Sequence, residues 1–124
     1  DDMRLALNAE RELPELAKSA ASSNSKWYSV IGSPPLRAVF ERAFGLPKSF
    51  GAINIDKQVE TLRTRTAASF GSSDLEQFKE PVQLEKLVRI FLVQSEVRAS
   101  RESITMGQTA LTLLQQSIAY LRKV

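Results

Sequence analysis

The chain has 124 residues, 43% hydrophobic and 25% charged, which fits one globular domain with a real core and excludes global disorder. Its net charge of +3 comes from 17 basic and 14 acidic residues, too even a balance for a nucleic-acid footprint despite a pI near 9.5. Cysteine and histidine are both absent, which excludes disulfides, thiolate catalysis, histidine-based triads and the commonest metal-ligand sets.

The first segment, about Asp2 to Ala21, is predicted helical. Ala6, Ala9, Leu13, Leu16 and Ala20 recur at spacings of three and four, and Asp1 and Asp2 suit the positive end of a helix dipole. Pro14 cannot donate to residue 10, so a kink or restart is expected near Leu13. Ser22-Ser23-Asn24-Ser25 is a break rich in capping residues. Asn24 or Ser25 is expected to cap a short helix carrying Trp27, Val30 and Ile31, which Gly32 ends.

Ser33-Pro34-Pro35 places serine at a cap and proline at the first helical position. Leu36, Val39, Phe40, Ala43 and Phe44 form its buried face. Gly45 fits the left-handed position after the helix, and Pro47 prevents continuation. Lys48 to Ile53 is read as a loop. The next helix runs from about Ile55 to Phe70, with Asn54 or Ile55 near its cap and Gly71 as its stop. Ser73-Asp74-Leu75-Glu76 matches a capping box, so a short helix is expected there, ending near Lys79.

Pro81 opens a helix whose inner face is Leu84, Leu87, Val88, Phe91, Leu92 and Ser95, ending near Ala99. Ser100 to Ser103 fits either a turn or continuous helix. In the last segment, Ser103 to Lys123, the residues Ile104, Gly107, Leu111, Leu114, Ile118 and Leu121 alternate spacings of three and four, a heptad seam. Met106, Ala110, Leu113 and Tyr120 are apolar off that seam, and a helix apolar on several sides needs more than one neighbour. The seam packs onto this domain or pairs with another chain, and the second reading makes these six residues the candidate partner-binding site. No segment alternates as a strand does, so the fold class is all-α: one multi-helix domain of five to seven helices.

Chemistry-bearing candidates are few. Serines near Lys18, Lys26 and Lys48 leave a Ser-Lys dyad conceivable, with ordinary surface neighbours as the plainer reading. Asp74, Glu76 and Glu80 lack the spacing of a calcium loop and read as favourable charge at a helix start. Arg63, Arg65, Lys86, Arg89, Arg98 and Arg101 are interleaved with Glu60, Glu85, Glu96 and Glu102, which points to salt-bridged helix faces over nucleic-acid contact. Trp27 and Tyr28 are candidate partner anchors, with core the favoured place for Trp27. No phosphate loop is present, no cofactor is implied, and no apolar stretch approaches the roughly 20 residues of a membrane span. Asp1-Asp2-Met3-Arg4 lacks the layout of a secretory signal, and apolar periodicity begins at once, so the natural chain is expected to continue upstream.

Trp27-Tyr28-Ser29-Val30-Ile31-Gly32-Ser33-Pro34-Pro35-Leu36-Arg37, then Ala43-Phe44-Gly45-Leu46-Pro47, Ile55-Asp56-Lys57-Gln58, Ser69-Phe70-Gly71-Ser72-Ser73-Asp74 and Leu87-Val88-Arg89-Ile90-Phe91-Leu92 occur in order. Together, over roughly residues 1 to 98, they resemble an uncharacterised bacterial helical family, a domain of unknown function whose genes are often found in flagellar clusters. The resemblance implies a role in flagellar assembly, structure or regulation and supplies no functional residue. The expectation is a non-enzymatic protein-interaction domain, cytoplasmic or exported to the flagellum. Its partners would be other proteins, flagellar components or a second copy through the last helix, and not nucleic acid. A helical enzyme and a nucleic-acid binder are the competing readings.

Overall fold

The computed structural model describes residues 1–105. They form five α-helices: α1 (Asp2–Lys18), α2 (Ser23–Ile31), α3 (Pro34–Ala43), α4 (Ile55–Phe70) and α5 (Pro81–Thr105). Two 3₁₀ turns, Lys48–Ala52 and Leu75–Lys79, lie between α3 and α4 and between α4 and α5, and no strand occurs among the described residues. The all-α class read from the sequence is the observed one.

Local chemistry sets most boundaries. The Asp1 carboxylate accepts from the Arg4 amide at 3.2 Å and starts α1. Pro14 lies inside α1 without ending it, so the expected restart does not occur, and α1 stops at Lys18 rather than Ala21. Its buried stripe is Ala6, Ala9, Leu13 and Ala17; Leu16 is half-buried and Ala20 lies beyond the helix, exposed. The cap of α2 is Ser22, not Asn24 or Ser25: its hydroxyl accepts from the Ser25 amide at 3.2 Å. Gly32 ends α2 with an ordinary right-handed φ of −78°.

α3 begins on Pro34 as its sequence predicts and ends in a Schellman motif. The Leu46 amide reaches the Glu41 carbonyl at 2.8 Å and the Gly45 amide reaches Arg42 at 3.1 Å, with Gly45 at φ +65°. Asn54 caps α4 by accepting from the Asp56 amide at 2.8 Å, and Gly71 closes it at φ +85°. Ile55, the first residue of α4, is exposed, and the buried face is Gln58, Val59, Leu62, Thr66 and Phe70. The expected capping box at Ser73 does not form. Asp74 caps the turn Leu75–Lys79 instead, accepting from the Glu76 amide at 3.1 Å. α5 runs past Ala99 to Thr105, so Ser100 to Ser103 is continuous helix in its backbone.

α1, α3 and α5 pack on one another, and the turn Leu75–Lys79 sits against α1 and α5. α2 lies across α3, and α4 packs on α2. Trp27, Phe40, Phe78 and Phe91 are fully buried at the centre. Trp27 and Phe78 meet Phe40 edge-on at 5.3 and 5.8 Å between ring centroids, and Phe70 meets Phe78 at 5.2 Å. Each such ring contributes about 1.5–3 kcal/mol by burial, and edge-on pairs add about 0.5–1.5 kcal/mol each. Trp27 is therefore core, and its indole N–H donates to the Ser73 carbonyl at 2.9 Å. Arg42 joins the three packed helices: it pairs with Asp2 on α1, donates to Ser95 on α5 at 3.3 Å, and lies 5.5 Å over the Phe91 ring.

Candidate interaction surface

α5 carries apolar residues on two sides. Its inner face is the predicted one: Leu87, Val88, Phe91 and Ser95 are buried against α1 and α3, with Leu84 and Leu92 half-buried. Helical geometry of 3.6 residues per turn puts Ile90, Val93 and Val97 roughly 140° around the helix from that face. Val93 is 53% exposed and Val97 37% exposed, and Ile90 is half-buried. The three recur at spacings of three and four, the pattern of a helix that packs against another helix. A shallow concavity of about 290 Å³ opens beside Ile90 and Val93, between Arg89 and Gln94, whereas Val97 lines the cleft at the end of α3.

α5 also outruns its core. Ser95 is its last buried residue among those whose burial is described, and every residue from Glu96 to Glu102 is exposed. The charges along this stretch divide into two groups. Arg89 pairs with Glu85 at 3.0 Å and Arg98 with Glu102 at 3.3 Å, one turn apart on the same helix. Glu96 and Arg101 have no ion-pair partner among the described residues.

Two other concavities lie elsewhere on the domain. A groove of about 600 Å³ lies between α2 and α4, lined by Tyr28, Asp56, Val59, Arg63, Thr64 and Ala67 among others. Its polar groups satisfy one another. The Tyr28 hydroxyl donates to the Asp56 carboxylate, which holds the Tyr28 pKa above its ordinary 10.0, with desolvation and the carboxylate's charge as lesser causes. Arg63 donates to Ser23 at 2.7 Å, Asn24 at 3.1 Å and Ser73 at 3.2 Å, clamping the start of α2 to the loop after α4. A smaller cleft of about 260 Å³, where α3 ends against α5, gathers Arg42, Lys48, Arg98 and Arg101. Arg42 is spent on Asp2 and Arg98 on Glu102.

The remaining candidates resolve into structural roles. Lys26 is 5% exposed, and its ammonium donates to the Ala17 carbonyl at 2.8 Å, covering an unsatisfied carbonyl in the last turn of α1. No serine hydroxyl among the described residues is hydrogen bonded to a lysine. Asp74 caps a turn and Glu76 pairs with Lys79 at 3.1 Å; no group of acidic residues among those described is arranged to hold a metal ion. Of the basic residues expected on salt-bridged faces, Arg89 and Arg98 are so placed. Arg63 is the clamp just described, and Lys86 donates to the Ser69 carbonyl at 2.6 Å while lying over the Phe70 ring. No described helix is long and apolar enough to cross a membrane.

Of the six predicted partner-binding residues, Ile104 falls in the last turn of α5. Gly107, Leu111, Leu114, Ile118 and Leu121 lie outside the described residues. The outer stripe of Ile90, Val93 and Val97 was not singled out by periodicity. Its signal was present in the spacing, masked by the stronger inner face of the same helix.

The model of the family described as "Protein of unknown function (DUF1217)" matches residues 1–84, and the chain belongs to that family. The match ends at the start of α5, short of the span to about residue 98 over which the resemblance was read. No curated protein and no solved structure matches the chain.

Proposed function

We propose that this chain is a non-enzymatic protein-interaction domain whose docking surface is the outer stripe of α5, continued by the seam from Ile104 to Leu121. The observation that carries the reading is a helix whose inner face is buried while Val93 and Val97 stand exposed on the other side. The core closes without them. The exposed helical stretch from Glu96 to Glu102 gains little from propensity alone, and a partner supplies what its length cannot. In the groove between α2 and α4, Tyr28 is bonded to Asp56 and Arg63 to Ser23 and Ser73, which favours a structural role for these groups.

The setting we propose is the bacterial flagellar system, in an assembly, structural or helper role, in the cytoplasm or exported to the flagellum. It rests on the sequence resemblance alone. The test is a deletion strain of a flagellated bacterium carrying the gene, complemented with the wild type or with V93D/V97D. Deletion should impair motility, wild type should restore it, and V93D/V97D should not. Unchanged motility on deletion, with no flagellar component co-purifying, would overturn the setting. Full complementation by V93D/V97D would overturn the surface.

A further inference from the structure

The cleft where α3 ends against α5 collects positive charge from two parts of the chain. Arg42 and Lys48 come from α3 and the turn after it, Arg98 and Arg101 from the exposed end of α5, and none of the described residues lining the cleft is acidic. Asp2 answers Arg42 and Glu102 answers Arg98. The side chains of Lys48 and Arg101 have neither an ion pair nor a hydrogen bond among the described residues, so both charges stay uncompensated. Glu41, in the hollow beside the cleft, is held by Arg37 at 2.7 Å. Arg42 is only partly engaged. Its bonds to Asp2 and Ser95 both leave from Nη1, and Nη2 has no partner among the described residues. The negative end of the α3 dipole accounts for Arg42 and Lys48. It does not account for the two arginines that α5 adds.

We propose that this cleft receives an acidic segment of a protein partner, with a carboxylate between Lys48 and Arg101 and an apolar neighbour against Val97. The inference rests on the proposed docking surface and names the chemistry of what docks there. Charge complementarity selects the acid, since arginine and lysine that lack a partner of their own bind carboxylates by charge-assisted hydrogen bonds. The apolar part of the lining, Leu46, Pro47 and Val97, takes the aliphatic portion of the segment.

Size and position select a protein segment. The cleft holds about 260 Å³, below the roughly 300–1,000 Å³ of small-molecule sites, so one or two side chains enter and the rest of the ligand lies outside. Val97 is 37% exposed at its edge, and Val93, one helical turn back, is 53% exposed. A segment anchored in the cleft therefore continues over the outer side of α5. A nucleic acid asks for a longer run of cations, and along α5 these alternate with Glu85, Glu96 and Glu102.

The probe is a short rhodamine-labelled peptide built of Glu-Glu-Leu units, with a Gln-Gln-Leu peptide as its neutral twin. Binding to the full chain is read by fluorescence anisotropy at about 50 mM salt, where screening is modest. The acidic peptide should bind at least about tenfold tighter than its twin, and K48E/R101E should weaken it by about tenfold or more. V97D, which puts a carboxylate into the cleft, should weaken it as well. K57E/R65E makes the same charge change on the exposed side of α4 and should leave binding within about twofold. Lys48 and Arg101 are exposed, so the core is untouched, and Trp27 emission confirms that each variant is folded. Equal binding of the two peptides, or equal loss in K57E/R65E and K48E/R101E, overturns the cleft as a site. Sedimentation with anionic phospholipid vesicles through Lys48 and Arg101, with no peptide bound, overturns the protein partner. Motility separates this inference from the docking surface, because V93D lies outside the cleft and keeps all four cations. If K48E/R101E restores motility fully and V93D does not, the stripe stands and the acidic partner falls. If V93D restores it and K48E/R101E, deficient in peptide binding, does not, the cleft stands and the stripe falls.

Discussion

Phe40 is the ring on which the core turns, and replacing it with leucine measures that directly. Phe40 is fully buried and meets Trp27 and Phe78 edge-on, at 5.3 and 5.8 Å, linking α3 to α2 and to the turn before α5. Leucine keeps an apolar side chain but removes the two edge-on ring contacts, at about 0.5–1 kcal/mol each, together with the looser tilted contact to Phe44. Its different shape leaves imperfect packing worth roughly 1 kcal/mol more. Phe40→Leu should therefore cost about 2–3 kcal/mol, against about 3–5 kcal/mol for Phe40→Ala. With a urea slope of about 1–3 kcal/mol per molar, the midpoint should fall by roughly 0.7–3 M. Trp27, the sole tryptophan, is itself fully buried, so its emission follows unfolding without a label. A loss below about 0.5 kcal/mol would refute the claim that the aromatic cluster organises the core.

Three further outcomes follow from single features. Thr66 is fully buried on α4 with no partner for its hydroxyl, so Thr66→Val should stabilise the domain by about 1 kcal/mol in the same titration. Gly71 sits at φ +85° with open space where a Cβ would be, so Gly71→Ala should cost only conformational energy, about 1–2 kcal/mol, seen as a lower Tm. The Tyr28 pKa is raised by its bond to Asp56, so the bond's stabilising effect is complete below the unfolded value of 10.0 and is lost as pH rises through the higher folded value. An absorbance titration should show a tyrosinate component above 10.0 that Tyr28→Phe abolishes.

Features governed by neighbouring residues were legible in the sequence. Proline at the first position of α3, glycine after α3 and α4, and asparagine before α4 each act through bonds a few residues long, so local pattern suffices. Features governed by distant residues were not. The capping box at Ser73 is locally sound, yet the Ser73 hydroxyl accepts from Arg63 and its carbonyl from Trp27, leaving the cap to Asp74. Lys26 resembles any surface lysine until α1 ends beside it and offers the Ala17 carbonyl. The candidate surface was half legible. The regular seam beyond Ser103 stood out because nothing interrupts it, whereas upstream the inner and outer faces of α5 overlap and blur each other's period.

That overlap bears on how the domain is built. An amphipathic helix that only serves a core has one apolar side and stops near its last core contact. α5 does neither: it is exposed from Glu96 to Glu102 and continues to Thr105, and Val93 stands exposed alongside the core contacts rather than after them. The stripe therefore starts on helix already held rigid by α1 and α3. A partner that docks there meets turns of helix that are formed before it arrives. In the proposed docking, folding and association use largely different residues of one helix: Leu87, Val88 and Phe91 are buried in the core, Ile90 packs against it in part, and Val93 and Val97 are exposed. Substitutions on the outer side should abolish association at unchanged core stability, while substitutions on the inner side should unfold the domain and lose association only as a consequence.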